Sequence, residues 1–358
     1  MKVKSQLSTL TAYSPGLTSE QVKRKYGLTE IVKLASNENP YGSSPLVRQA
    51  IADIDHFAIY PEGRALHIRR AVADHLGVDE NQLIFSSGLD ELIQMISRAL
   101  LEKGTNIVTA AQTFPQYRHH AVIEDAQIRE VPLKNGVYDL DTMAKQIDAE
   151  TKIVWICNPN NPTGTYVNST EVEKFLQSVP SHVLVVMDEA YYEYVTAADY
   201  PETIPLLNKY NNLFVLRTFS KAYGLASLRI GYGVGATSFI KQLEVVRLPF
   251  NTSTLAQTAA LAALEDQQFV EKSVKKNAME RQKYIDFCTR HKLSYYPSQG
   301  NFIFINIPSK DPMKVSQYLL ENGLIVRPFS NGIRITVGTK DENNKLRNVL
   351  KNKVLIST

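Results

Sequence analysis

The chain keeps an amine where a charged amine is hard to justify. Lys221 lies in RTFSKAYGLASLR (217–229), just after the apolar run NLFVL, at the end of a strand that reads as buried. Two earlier apolar runs, KIVWIC (152–157) and HVLVVM (182–187), end in NPNNPTG and DEAYYEY. Each run is continuous rather than alternating, the pattern of parallel strands covered on both faces. Ligands of open α/β sheets bind outside the carboxyl ends of the strands. The three runs therefore deliver Asn161, Asp188, Tyr191, Ser220 and Lys221 to one edge.

Taken singly, these residues have ordinary explanations: a turn asparagine, a loop or cap aspartate, a lysine reaching for solvent. Together they make chemical sense. A lysine amine forms a Schiff base with the aldehyde of pyridoxal phosphate, which removes the permanent charge. A carboxylate beside the pyridine nitrogen keeps that nitrogen protonated, so the ring can absorb electrons from a substrate. The Tyr191 hydroxyl and the Asn161 amide suit the ring's phenolic oxygen. For the phosphate, the helix beginning at Gly88 offers free N–H groups at Leu89 and Asp90. Ser220 and Arg229 add a hydroxyl and a guanidinium. Asp90 is the awkward member, because a carboxylate repels a phosphate; turning back toward Ser87 would relieve the conflict.

The elements that must hold these residues read as an α/β domain with a mostly parallel sheet and helices on both faces. LIFSS reads as a short strand, and the helix after it spans 86–104, with a Ser87–Asp90 capping box, Lys103 in the last turn and Gly104 as its stop. A helix capped by Ser169 or Thr170 separates the first two runs. The C-terminal third differs. A helical pattern over roughly 252–292 precedes the short strands GNFIFINI, GLIVRPF and GIRITVG, interrupted by the helix DPMKVSQYLLEN. The predicted organisation is a large domain over 36–250 and a smaller α+β domain over 251–358, with residues 1–35 packing against the latter.

Composition bounds the remaining possibilities. At 358 residues the chain exceeds one ordinary core, and 44% hydrophobic with 21% charged residues excludes a disordered or fibrous protein. Forty basic against 36 acidic side chains leave a net charge of +4, which argues for neither a nucleic-acid nor a membrane partner. Cys157 and Cys288 are far apart with no CxxC pattern, so free thiols in a reducing cytoplasm are expected, and no metal site is indicated. The polar N-terminus lacks the apolar core of a signal peptide, and a cytoplasmic location is expected.

The motifs SNENPYG (36–42), YPEG (60–63), NPNNPTG, DEAY, TFSKAYGLASLRIGY (218–232) and RITVG (334–338) resemble, in order, those of fold-type-I pyridoxal-phosphate aminotransferases. The likeness is greatest to the histidinol-phosphate aminotransferase branch and runs from about residue 30 to 345. It implies that Lys221 is the Schiff-base lysine and proton shuttle, that Asp188 pairs with the pyridinium nitrogen, and that Tyr191 and Asn161 contact the ring oxygen. It also implies that Thr218, Ser220, Arg229 and the backbone of Leu89 and Asp90 hold the phosphate, and that Tyr117 stacks on the cofactor. Tyr60 matches a tyrosine that reaches the neighbouring subunit's cofactor, which implies a homodimer with shared sites. Arg334 matches the clamp for a substrate carboxylate. Arg327 matches an arginine for substrate phosphate, and Asn37 and Asn301 lie near the substrate mouth by the same likeness.

Two positions depart from the family pattern: Leu89 stands where a small residue is usual, and Ser227 where glycine is. A serine is tolerated there unless the backbone needs positive φ. The implied reaction converts L-histidinol phosphate and 2-oxoglutarate to imidazole acetol phosphate and L-glutamate, a step of histidine biosynthesis. Aromatic amino acid transamination is the competing reading, and threonine-phosphate decarboxylation a third. A transcriptional regulator with an aminotransferase-like domain is disfavoured, since the pattern begins near residue 30.

Overall fold

The structure, a computed structural model, describes residues 2–12, 16–308 and 310–355. After a short first strand, β1 (Val32–Lys33), come the strands of a seven-stranded sheet. These are β2 (Leu83–Ser86), β3 (Asn106–Ala110), β4 (Gln127–Val131), β5 (Thr151–Cys157), β6 (Leu184–Asp188), β7 (Leu213–Thr218) and β8 (Gly231–Gly235). Their spatial order is β2-β8-β7-β6-β5-β3-β4. Only β8 runs against its neighbours; every other pairing is parallel. The three apolar runs are thus the adjacent strands β5, β6 and β7. Cys157 pairs with Asp188 and Asp188 with Leu216, so the loops after all three strands leave from one edge.

The reversed strand β8 reads GYGVG, a poor strand former. Its glycines make room instead: a Cβ on Gly233 or on Gly235 would come 2.4 Å from the Phe214 ring. Leu89 uses the same device, since Gly231 offers its side chain a neighbour with no Cβ. That accommodates the first family departure. Ser227 lies in a short 3-10 turn, Ala226–Leu228, and is not among the positive-φ residues, so the second costs nothing in backbone strain.

Four local expectations are corrected. The Ser87–Asp90 capping box does not form, because Gly88 at φ 78 is the N-cap of helix Leu89–Leu100. With the cap one residue later, Glu91 is the third helical residue, and its carboxylate accepts the Ser87 N–H at 2.5 Å. The helix also stops at Leu100, with Leu101 already extended, before Lys103 and Gly104. Helix Ser169–Ser178 is capped by Asn168, in a box with Glu171, and not by Ser169 or Thr170. The long helical pattern is two helices, Thr254–Glu265 and Gln267–Arg290, broken at Asp266, whose carboxylate accepts the Phe269 N–H.

A second apolar core forms in the C-terminal third. Strands β9 (Tyr295–Tyr296), β10 (Phe302–Asn306), β11 (Leu324–Ile325), β12 (Arg327–Phe329) and β13 (Gly332–Thr336) follow the Gln267–Arg290 helix. Four of them make an antiparallel sheet in the order β12-β13-β10-β9. Ile303, Ile305, Ile333 and Ile335 pack there with Tyr284 and Leu319. Strand β1 pairs in parallel with β11, and Val32 and Leu34 belong to this core. The chain before them divides its contacts: Lys4 and Gln6 donate to the Ile123 carbonyl, at the end of a helix beside the larger sheet. Among the described residues, no helix is long and apolar enough to cross a membrane.

Candidate active site

A cavity of about 460 Å³ opens where β5, β6 and β7 end, roofed by β12 and β13. Lys221, Asp188, Asn161 and Tyr191 line it, as do Thr218, Ser220 and Arg229, and Leu89 and Asp90 at the helix start. Lys221 Nζ donates to the Ser36 carbonyl at 3.1 Å. Burial, helped by the Arg334 guanidinium, lowers its ammonium pKa to about 8. The surroundings of the buried amine thus shift it toward the neutral, nucleophilic form, which it reaches at mildly alkaline pH.

Asp188 is 3% exposed, and burial raises its carboxyl pKa to about 6. Two hydrogen bonds oppose that rise. The Tyr117 hydroxyl donates to Oδ2 at 2.5 Å and the Ala190 N–H to Oδ1 at 3.1 Å. The carboxylate is therefore ionised at neutral pH and held at both oxygens. Tyr191 is a hub: its hydroxyl accepts from Asn37 Nδ2 at 3.0 Å and from Asn161 Nδ2 at 3.2 Å. Burial raises its pKa, so the phenol stays protonated.

An anion cradle lies at the other end of the cavity. The N-cap Gly88 supplies no side-chain acceptor, so the first N–H groups of helix Leu89–Leu100 are open to a ligand. Arg229, itself in the left-handed region at φ 55, donates to Ser220 Oγ at 3.3 Å and to the Ala226 carbonyl at 3.1 Å. Its Nη2 stands 3.6 Å from the Asp90 carboxylate. Asp90 is half exposed and pairs with this guanidinium, so its charge is partly offset without a cap. Thr218 Oγ1 accepts the Ser220 N–H at 3.1 Å and fixes the turn that carries Lys221.

Two arginines occupy the opposite wall. Arg334 Nη1 donates to Asn161 Oδ1 at 2.5 Å and Nη2 to the Ala35 carbonyl. Arg327 faces Arg334 directly across the β12–β13 ladder. Residues opposite one another in a ladder project from the same face, so both guanidiniums serve this cavity.

Three sequence-predicted residues do not line this chain's cavity. Tyr117 is wholly buried beneath the wall, stacked on Trp155 at 4.7 Å, and no part of it lines the cavity. From this segment it is Phe114 that reaches the wall, and its edge contact with Tyr117 has a centroid distance of 5.7 Å. Both rings occur in TFPQYR, and spacing alone does not tell which of them faces inward. Asn301 is fully buried behind Asn37, donating to its carbonyl at 3.0 Å; it supports the mouth and does not line it. Tyr60 lies outside the cavity of its own chain, 77% exposed and stacked on Phe250 at 4.7 Å.

Comparison with known proteins places this geometry. The model of the family described as aminotransferase class I and II matches residues 29–350. A histidinol-phosphate aminotransferase of Geobacillus thermodenitrificans is 58% identical over 352 residues, covering 97% of this chain and 96% of the relative. Another, from Geobacillus sp. strain WCH70, is 56% identical, covering 99% of this chain and 100% of the relative. Among solved structures, histidinol-phosphate aminotransferase from Sinorhizobium meliloti, in complex with pyridoxal-5'-phosphate, superposes with a TM-score of 0.89 at 27% identity. It covers 98% of each chain. A match across almost the whole length, joined to relatives this similar, leads to one conclusion: the chain belongs to the aminotransferase class I and II family.

Proposed function

We propose that this chain is a pyridoxal-phosphate-dependent aminotransferase that moves the amino group of L-histidinol phosphate to 2-oxoglutarate. The observation that carries the substrate class is the Arg327–Arg334 pair on the wall opposite the amine of Lys221. A site with two guanidiniums suits a phosphate on one substrate and a second carboxylate on the other. The relatives at 56% and 58% identity support the same reading.

The residues present fit the cofactor. Gly88 is a cradle that a Cβ would fill: the added atom would stand 2.2 Å from Arg229 Nη2. The helix N–H groups, Ser220, Thr218 and Arg229 would hold the phosphate; Asp188 would face the ring nitrogen; Asn161 and Tyr191 would meet the ring oxygen; and Phe114 would cover a face of the ring. Bound there, pyridoxal phosphate supplies an electron sink for the bonds around the substrate α-carbon. Lys221 Nζ, neutral at mildly alkaline pH, would take the α-proton and return it on the other side of the reaction. Tyr60, exposed and stacked on Phe250 with the exposed Phe57 and Ile59 just before it in the chain, would reach the site of a second copy. The working form is then a homodimer, with residues 36–250 as the cofactor domain and 251–358 as the smaller one.

Steady-state glutamate formation tests the reading. L-Histidinol phosphate with 2-oxoglutarate should give a kcat/KM at least about tenfold above that for L-phenylalanine, the worth of one charge-assisted hydrogen bond. A higher value for phenylalanine would make the enzyme an aromatic aminotransferase. Carbon dioxide release from threonine phosphate, without glutamate, would make it a decarboxylase.

A further inference from the structure

Asp188, at the end of β6, and Phe114, just before helix Gln116–Ile123, both line the cavity and share one neighbour. Tyr117 is 0% exposed, and its ring lies flat on Trp155 at an interplanar angle of 8° and against the edge of Phe114 at 76°. Its hydroxyl reaches Asp188 Oδ2 at 2.5 Å. A ring clamped on two sides cannot swing, so its donor is a fixed point. We propose that Tyr117 is a positioning residue: its phenol O–H pins one oxygen of Asp188, so that the carboxylate stays ionised and turned to the cavity, while its ring backs Phe114.

The physical grounds are local. A buried carboxylate with no donor is driven to its neutral form. Among the described residues, Asp188 Oδ1 accepts from the Ala190 N–H and Oδ2 from the Tyr117 hydroxyl, and no further hydrogen-bond donor reaches either oxygen. The other groups acting on Asp188 are Lys221, which favours its charge, and Asp90, which opposes it; the Cys157 thiol lies on the neighbouring strand. Each is a weaker influence than the phenol donor. Removing that donor leaves one N–H to hold a buried anion and lets the carboxylate rotate. The chain's single tryptophan stacks on this tyrosine and reports on it.

The inference rests on the cofactor reading, and its test separates the two. The cofactor-free chain is titrated with pyridoxal phosphate and with the analogue whose ring nitrogen is replaced by CH, by equilibrium dialysis. Wild type should prefer the natural compound, because only that one returns a hydrogen bond to Asp188. Tyr117→Phe, which keeps the stack and loses one oxygen, should lose at least about tenfold of that preference. Retention of the full preference in Tyr117→Phe overturns the proposal, as does equal binding of both compounds by wild type. Failure of wild type to bind either one overturns the cofactor reading beneath it. A second measurement does not depend on that variant folding. Emission of Trp155 in the cofactor-free wild type should show a transition with midpoint near pH 6, and Asp188→Asn should lack it. A wild type with no transition, or an Asp188→Asn variant that keeps it, contradicts the coupling.

Discussion

Arg229 crosses the start of helix Leu89–Leu100 so closely that a Cβ on Gly88 would stand 2.2 Å from its Nη2 and 2.8 Å from its Cζ. The guanidinium and the helix N–H groups therefore meet over a position that only glycine leaves open. Gly88 is also at φ 78 and ψ 168, a region essentially confined to glycine, where an L side chain costs about 1–3 kcal/mol. Gly88→Ala should weaken pyridoxal phosphate binding by roughly tenfold or more while the fold survives. Equilibrium dialysis and a melting curve measure the two effects separately. Wild-type affinity in that variant would move the anion site elsewhere.

The Lys221 amine gives a pH signature. Its pKa is about 8, pulled down from the ordinary lysine range first by burial and then by Arg334. In the cofactor-free chain, the rate of imine trapping at this residue by a small aldehyde and borohydride should rise with pH to a midpoint near 8. Arg334→Gln removes a positive charge, so the ammonium is easier to keep and the midpoint should move upward. A midpoint in the ordinary lysine range, unmoved by the variant, would contradict the buried-amine account. The unfolded lysine holds its proton to higher pH than the folded one. The cofactor-free fold therefore gains stability as pH rises above about 8 and levels off once the unfolded lysine has also titrated.

Arg327 and Arg334 face one another but should not be equivalent. Arg334 is already engaged with Asn161 and the Ala35 carbonyl, which fixes its plane for a carboxylate. Arg327→Gln should lower kcat/KM for L-histidinol phosphate by roughly 10–100-fold and that for L-phenylalanine much less. Equal losses would assign Arg327 to a group common to both substrates.

A site completed by a second copy can be rebuilt from two broken chains. Lys221→Ala and Tyr60→Ala homodimers should each be impaired, and mixed dimers carry one intact site and one doubly damaged site. Activity on mixing should recover to about a quarter of wild type once subunits exchange. No recovery, with exchange verified by light scattering or labelled chains, would keep Tyr60 within its own subunit.

The legible part of the fold was the part governed by continuous apolar runs. β5, β6 and β7 are covered on both faces, so sequence and burial coincide, and the residues after them were found together for that reason. β8 was not legible because its glycines satisfy packing against Phe214 and leave no strand-like side chains to read. Cap positions slipped by one residue at Gly88 and Asn168, where neighbouring polar residues offer equivalent local chemistry. Which way Tyr117 faces was not legible for a deeper reason: whether a ring in a loop-to-helix transition points to a cavity or to its floor depends on tertiary contacts with Trp155 and Asp188. The Glu189–Arg217 ion pair, joined at 2.9 Å just behind Asp188, escaped the sequence reading altogether. Glu189 is the second residue of DEAY, and nothing in its type separates a buried partner from a catalytic acid.

The central claim is that this site performs amino transfer in two separable halves, and a single-turnover measurement tests it most directly. The cofactor-loaded enzyme is mixed with excess L-histidinol phosphate in the absence of any 2-oxo acid, and imidazole acetol phosphate is quantified against active sites. The account predicts about one equivalent per site and a complete loss of product in Lys221→Ala. No product from the wild-type enzyme, or the same yield from Lys221→Ala, would contradict it.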